Sequence, residues 1–208
     1  MEIGCVVLAG GKSLRMRHDK VLEIIDDKSL LERAINAVSV FNSDVIIVTA
    51  TKQAFPLFNE YQNLKIVTDI YHGRGPLGGI HAGLTASDRQ HNLVVACDMP
   101  FLNQSLMNLM INNVAGYDVI IPRAGYMLEP LHAVYSKECL TPIEDLLKHG
   151  KKCNISIREL LPLVNVRYLD ANEIKSFDPQ HLSFFNINTE SDLETARELA
   201  KHLITNRD

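Results

Sequence analysis

Ile3-Gly4-Cys5-Val6-Val7-Leu8-Ala9-Gly10-Gly11-Lys12-Ser13-Leu14-Arg15-Met16-Arg17-His18-Asp19-Lys20 is the stretch on which the reading of the chain turns. Ile3 to Val7 is short, apolar and partly β-branched, which predicts a buried strand. The loop behind that strand is no ordinary turn. Gly10 and Gly11 let backbone amides approach a ligand closely, and Lys12, Arg15, Arg17 and Lys20 come soon after. Exposed amides with concentrated positive charge make a site for a polyanion, most often a nucleotide phosphate chain. Lys12 and Arg17 are read as steering charges and His18 as an exposed residue.

The rest of the composition sets limits on that idea. A length of 208 residues suits one domain with a sizeable core. The net charge of −4 argues against a broad nucleic-acid-binding surface, so the basic residues of the first loop are a local feature. No run approaches the roughly 20 apolar residues of a membrane span. Met1-Glu2 leads straight into the first strand, so no signal peptide is expected and the expected compartment is the cytoplasm. Cys5, Cys97, Cys139 and Cys153 are scattered without metal-clip spacing, and the histidines form no zinc-binding pattern, so neither a zinc site nor thiol chemistry is expected.

Beyond the loop, Ser29-Leu30-Leu31-Glu32 is a capping box, and Leu30, Leu31, Ala34, Ile35 and Val38 form one apolar helix face. Val45–Val48 reads as a second buried strand, Phe55–Tyr61 as a helix, and Leu64–Val67 as a third strand ending at Thr68-Asp69. Gly73-Arg74-Gly75-Pro76-Leu77-Gly78-Gly79 opens a helix through His81, Ala82 and Leu84. A fourth strand, Asn92–Cys97, ends at Asp98-Met99-Pro100, followed by a helix over Asn103–Val114 and a strand over Asp118–Ile121. Strands are further expected over Leu131–Tyr135, Val164–Leu169 and Phe184–Ile187, with helices over Leu140–Leu147 and Asn154–Leu161. Thr189-Glu190-Ser191-Asp192 caps a final helix with Leu193, Ala196, Ala200 and Leu203 on one face. Strands alternating with helices, and continuously apolar rather than alternating, predict a single α/β domain over residues 1–208. Its sheet should be mostly parallel and twisted, with helices on both faces.

Two motifs in this chain mislead. Gly11-Lys12-Ser13 resembles the end of a Walker loop, but the first glycine of that pattern would fall at Val6, inside the strand. Gly73-x-Gly75-x-x-Gly78 matches the dinucleotide fingerprint by letters, yet it comes after the third strand rather than the first, and Pro76 removes an amide. Both readings are set aside.

Ligands of an open parallel sheet bind outside the carboxyl ends of its strands. The first loop, Asp69 and Asp98 all fall at such ends and can share one crevice. Asp98, at a strand end stopped by Pro100, is suited to Mg²⁺, which takes one or two carboxylates and completes its shell with phosphate oxygens. The plainer alternatives are a helix N-cap for Asp98 and a turn residue for Asp69. Arg15 and Lys20 are read as phosphate contacts.

Four stretches in this order carry a family resemblance: Leu8-Ala9-Gly10-Gly11-x-Ser13-x-Arg15-Met16 with Asp19-Lys20, Gly75-Pro76-Leu77-Gly78-Gly79-Ile80, Cys97-Asp98-Met99-Pro100, and Asn186-Ile187-Asn188-Thr189 running into Asp192-Leu193. Together they resemble the MobA-type molybdenum cofactor guanylyltransferases. The resemblance implies a Rossmann-like, nucleotide-diphospho-sugar-transferase-like fold, with a nucleotide- and metal-binding half over 1–100 and an acceptor-binding half over 101–208. It implies transfer of GMP from GTP to the phosphate of molybdopterin with release of pyrophosphate, Mg²⁺ as cofactor, and molybdopterin-handling proteins as candidate partners. Matched position by position, Leu8, Ala9, Gly10, Gly11, Ser13, Lys20, Thr49, Asp69 and Asp98 fall on nucleotide contacts, and Asp98 also on the metal ligand. Arg15, Lys20 and Asp98 are the residues assigned to catalysis, and Asn186 and Asn188 to the acceptor.

The chain departs from the family pattern twice: Arg17 stands where a glycine is frequent, and Thr49 where an asparagine is common. Gly10 favours GTP, because the neighbouring cytidylyltransferases typically carry alanine there. The competing expectations are a cytidylyltransferase, a nucleotidyltransferase of the same fold with another phosphorylated acceptor, and a non-catalytic nucleotide-binding protein that handles the cofactor.

Overall fold

The computed structural model describes residues 2–10, 20–41, 43–50, 64–71, 73–150 and 155–205. In chain order the strands are β1 (Gly4–Leu8), β2 (Ile24–Ile25), β3 (Lys28–Ser29), β4 (Val45–Thr49), β5 (Leu64–Thr68), β6 (His91–Ala96), β7 (Val119–Ala124), β8 (Met127–Leu128), β9 (His132–Ser136) and β10 (Val166–Leu169). The α-helices are α1 (Leu30–Ser39), α2 (Pro76–Ala86), α3 (Gln104–Asn112), α4 (Leu140–His149), α5 (Ala171–Phe177) and α6 (Glu190–Thr205).

One sheet runs through the molecule in the order β10-β7-β9-β6-β1-β4-β5, with β8 pairing β7 off that path. The pairs of β1 with β4 and β6, of β4 with β5 and of β7 with β10 are parallel, whereas β9 lies antiparallel to both β6 and β7. The mostly parallel α/β domain expected from the sequence is therefore present. Its central strands are apolar on both faces because both faces are covered. Cys5 and Val7 enter a core with α1 and α3, and Val6 and Leu8 enter a second core with α2 and α4.

The capping box of α1 forms as the sequence predicts: the Ser29 hydroxyl accepts from the Glu32 amide, and the Glu32 carboxylate accepts from the Ser29 amide. In α2 the glycines serve packing. A Cβ on Gly83 would stand 2.4 Å from Val6 Cγ1, and one on Gly79 would stand 3.2 Å from Leu8 Cδ2. The helix thus lies close on β1, and Gly75, the cap residue with φ 80°, admits Pro76 as its first helical residue.

Three expectations need correction. Phe184–Ile187 is not a strand: Leu182–Phe184 is a 3-10 turn entered through left-handed His181, and it gives way to an irregular run. Asn154–Leu161 is not a helix: Ile157–Glu159 and Leu161–Leu163 form two 3-10 turns, the second containing Pro162, whose ring leaves no amide for an α-helical ladder. Leu203 is 37% exposed, and α6 packs away from the main sheet. Leu193, Ala196 and Ala200 join Ile187, Ile25 and Leu30 in a satellite core that also holds the β2–β3 hairpin. The helix expected over Phe55–Tyr61 lies outside the described residues.

Candidate functional site

The chain runs from β1 outward through β4 and β5, then returns to place β6 on the other side of β1. That reversal puts a crevice at the carboxyl ends of β1 and β6, the place where open α/β sheets bind ligands. The first loop leaves the sheet there under tight control. The Ala9 amide donates to Val48 O at 2.8 Å, and Leu8 O accepts from the Cys97 amide at 3.1 Å. Leu8 and Ala9 are buried and Gly10 is exposed. A Cβ on Gly10 would stand 2.8 Å from the Ala50 amide nitrogen, so only glycine fits between the ends of β1 and β4 without a backbone shift.

Across the crevice, Asp98 stands just past β6. Lys20, in a 3-10 turn over Lys20–Leu22, donates from Nζ to Asp98 Oδ2 at 2.8 Å. The two side chains are 13% and 26% exposed, so the pair is sheltered while one edge of the carboxylate stays accessible. Asp98 caps no helix; Asn103 caps α3. The Asp98-Met99-Pro100 turn is held by Arg33 of α1, whose Nε donates to Pro100 O at 3.2 Å and whose Nη1 donates to Ile25 O at 3.3 Å. Arg33 left no motif in the sequence beyond a basic position on a helix.

The two candidate acceptor residues lie against the same turn. The Ile187 amide donates to Asp98 O at 3.0 Å, placing half-buried Asn186 and exposed Asn188 on either side of that link. Asn186 Nδ2 donates to Phe184 O at 3.0 Å. The amides of Asn188 and Thr189 both donate to Asp192 Oδ2 at 2.8 Å. Those amide bonds, Asn188's first, together with the nearby Lys20 charge hold the Asp192 carboxyl below the usual carboxylate range. Lys20 therefore sits between Asp98 and the amino end of α6.

Asp69 and Thr49 flank the crevice from the β4–β5 side. Asp69 Oδ1 accepts from the Tyr71 amide at 2.7 Å, so the turn role expected as its alternative is present. Both carboxylate oxygens also lie over Gly78 in the first turn of α2, where a Cβ would stand 2.7 Å from each, and the helix dipole favours the negative charge. Thr49 is fully buried, and its hydroxyl donates to Val67 O at 3.3 Å. Its side chain thus faces the protein rather than the crevice. Gly11, Ser13 and Arg15, together with Lys12, Arg17, His18, Asp19 and Cys153, lie outside the described residues.

Burial pushes the Cys5, Cys97 and Cys139 thiols up to about 12, so these three stay protonated at neutral pH even though Cys97 adjoins Asp98. Among the described residues no group of three or more His, Cys, Asp or Glu could hold a metal by itself. None of the described helices is long and apolar enough to cross a membrane.

One buried residue went unread in the sequence. His132, paired with Val95 of β6, is fully buried, and neither ring nitrogen has a hydrogen-bond partner. Its ring meets Phe184 edge-on at 5.6 Å, in the turn leading to Asn186. Burial pulls its pKa down to about 4, against weaker opposing pulls from the Ser183 backbone and the Asp178 charge. Asp178 in turn accepts from the Leu182 and Ser183 amides at 3.1 and 2.9 Å. A histidine inside an apolar strand carries no sequence mark that separates it from a core residue.

Two cavities stand out. One of about 220 Å³, lined by Gly4, Asp44, Lys65, Ser87 and Arg89 among others, lies at the amino ends of the strands, away from the crevice. The other, of about 250 Å³, lies between the start of α2, Ile121, Leu128, Pro130 and the 155–161 segment.

Known proteins of one family are similar to this chain over most of its length. The model of the MobA-like NTP transferase domain matches residues 5–162. A probable molybdenum cofactor guanylyltransferase of Pelotomaculum thermopropionicum is 38% identical over 203 residues, covering 97% of this chain and 95% of its own. A molybdenum cofactor guanylyltransferase of Desulfosudis oleivorans is 34% identical over 198 residues, covering 94% of this chain and 95% of its own. The crystal structure of molybdopterin-guanine dinucleotide biosynthesis protein A from Archaeoglobus fulgidus superposes with a TM-score of 0.82 at 30% identity. It covers 96% of this chain and 100% of its own.

Proposed function

The chain belongs to the MobA-like NTP transferase family, and from that membership we propose that it transfers GMP from GTP to the phosphate of molybdopterin, releasing pyrophosphate and leaving the guanine dinucleotide form of the cofactor. The observation that carries the reading is the Lys20–Asp98 pair, which stands at the reversal point of the sheet with the Asn186–Asn188 segment fastened to the same turn.

The reaction joins two anions. A phosphate oxygen of the acceptor attacks the α-phosphorus of GTP in line and pyrophosphate leaves, so the protein's work is alignment and charge neutralisation. The attacking phosphate is already ionised at neutral pH, and no side chain has to take its proton. Lys20 supports the charge that develops on the leaving pyrophosphate, with Arg15 as the second cation. Leu8, Ala9 and Gly10 line the nucleotide side, with Asp69 at its far wall. Asn186 and Asn188 face the acceptor.

A metal fits one end of this site. Asp98 Oδ1 has no protein donor among the described residues, and a single strand-end carboxylate suits Mg²⁺, which draws most of its ligands from phosphates and water. Asp98 would hold that ion, whose chemistry when bound is to offset charge on the α-phosphate.

The test is turnover with Mg²⁺, molybdopterin and each of GTP, CTP and UTP, following pyrophosphate and the dinucleotide product. GTP alone should support both. Turnover with CTP and not GTP overturns the guanine assignment. Nucleotide binding with no pyrophosphate from any acceptor overturns the enzyme reading and leaves a cofactor-handling protein.

A further inference from the structure

Glu129 stands between β8 and β9, where the backbone is pinned on both sides. Its amide donates to Pro122 O at 3.1 Å, and its carbonyl accepts from the His132 amide at 3.1 Å. Two residues on, Leu131 O accepts from the Ala96 amide at 2.9 Å, at the end of the strand that carries Asp98. The Glu129 loop therefore flanks the crevice from the β9 side, opposite the β1–β4–β5 side that holds the first loop and Asp69.

Its side chain is half-buried and makes no hydrogen bond or ion pair among the described residues. That sets it apart. Glu23 pairs with Arg197, Glu144 with Lys148 and Glu173 with Arg167, while Glu32 and Glu159 accept from helix-cap amides. These are the other half-buried glutamates among the described residues. Burial also pushes the Glu129 carboxyl above the ordinary range. A sheltered carboxylate without a partner costs free energy that a ligand with paired N–H donors would offset.

We infer that Glu129 recognises the acceptor, accepting hydrogen bonds from the ring N–H and exocyclic amine of a 2-amino-4-oxopyrimidine edge. Pterin and guanine share that edge, so the chemistry alone admits either. The position of Glu129 on the β9 side, across Asp98 from the first loop, assigns it to the pterin. This deepens the proposed function and rests on it.

The test compares two free heterocycles by fluorescence titration: pterin, which has the amine, and lumazine, which carries an oxygen in its place. Wild type should bind pterin at least about 10-fold tighter than lumazine, because a site built for a donor pair rejects the analogue that lacks it. Glu129→Gln should lose that preference while its circular dichroism spectrum and its KM for GTP stay within about twofold of wild type. If Glu129→Gln misfolds, Glu129→Asp serves in its place, with the preference reduced and the GTP KM unchanged. Equal binding of both heterocycles by wild type overturns the inference, as does a preference that survives in Glu129→Gln. A rise in GTP KM instead assigns the residue to guanine and overturns it too. Failure of the proposed function looks different: wild type discriminates pterin from lumazine yet forms no dinucleotide from molybdopterin and GTP.

Discussion

The Ile187 amide donates to the carbonyl oxygen of Asp98 at 3.0 Å, so the segment bearing Asn186 and Asn188 is fastened to the residue assigned to the metal. The link is main chain on both sides. Changing the Asp98 side chain therefore removes its carboxylate and leaves the Asn186–Asn188 segment docked.

Asp98→Ala should cut turnover by at least about 10²-fold, the scale of losing a site's main electrostatic contribution. The lost pair with Lys20 is sheltered, so its removal should also lower stability, by about 1–3 kcal/mol. Pyrophosphate release and a urea melt on the same sample separate the two effects. Near-normal turnover would show that the metal is held elsewhere.

His132 makes stability depend on pH in a definite direction. In the folded protein the ring stays neutral down to about pH 4, whereas an unfolded imidazole takes its proton near 6.5. Between those values the unfolded state binds more protons, so stability falls as pH drops from 6.5 toward 4, by about 3 kcal/mol in all. Above pH 6.5 the residue adds no slope. His132→Phe should flatten the curve of urea midpoints taken from pH 7.5 to 4.5, and an unchanged slope would assign the dependence to other groups.

Gly83→Ala tests the close approach of α2 to β1. The new methyl would meet Val6 Cγ1 at 2.4 Å. Overpacking of this kind costs about 1–3 kcal/mol, more than the roughly 1 kcal/mol that alanine adds to a helix interior. The variant should be less stable than wild type in a denaturant melt. Combined with Val6→Ala it should lose less than the sum of the two single changes, and simple additivity would show that the two residues do not press on each other.

How far the sequence discloses this molecule depends on whether the deciding contact is local. Val45–Val48 and Asn92–Cys97 announce strands because every residue of a central parallel strand is buried, and Ser29 and Glu32 announce a helix because a capping box closes within four residues. Asp98 was legible for the same reason: a carboxylate directly after an apolar run stands at a strand end. His132 and Glu129 were not. One is defined by a turn some fifty residues later and the other by the lack of any partner, and neither condition leaves a pattern in the chain. Phe184–Ile187 reads as a strand because Phe184, Phe185 and Ile187 are large and apolar. They are apolar to fill the cores beside β9 and α6, and among the described residues no strand pairs with them. Gly73, Gly75 and Gly78 imitate a dinucleotide fingerprint for other reasons: the first two take positive φ in the turn into α2, and a Cβ on Gly78 would meet the Asp69 carboxylate.

The satellite core ties distant parts of the chain together. Arg197 of α6 donates to Ile24 O at 3.0 Å and lies 3.6 Å from Glu23, while Ala196 and Ala200 cover Ile25 and Leu30. Glu23 comes directly after the turn that presents Lys20, and its amide donates to Lys20 O. The posture of an early residue thus depends on the latest helix in the sequence. During synthesis the turn that carries Lys20 acquires this clamp only after α6 has emerged. A growing chain that already holds its parallel sheet is still an unfinished enzyme.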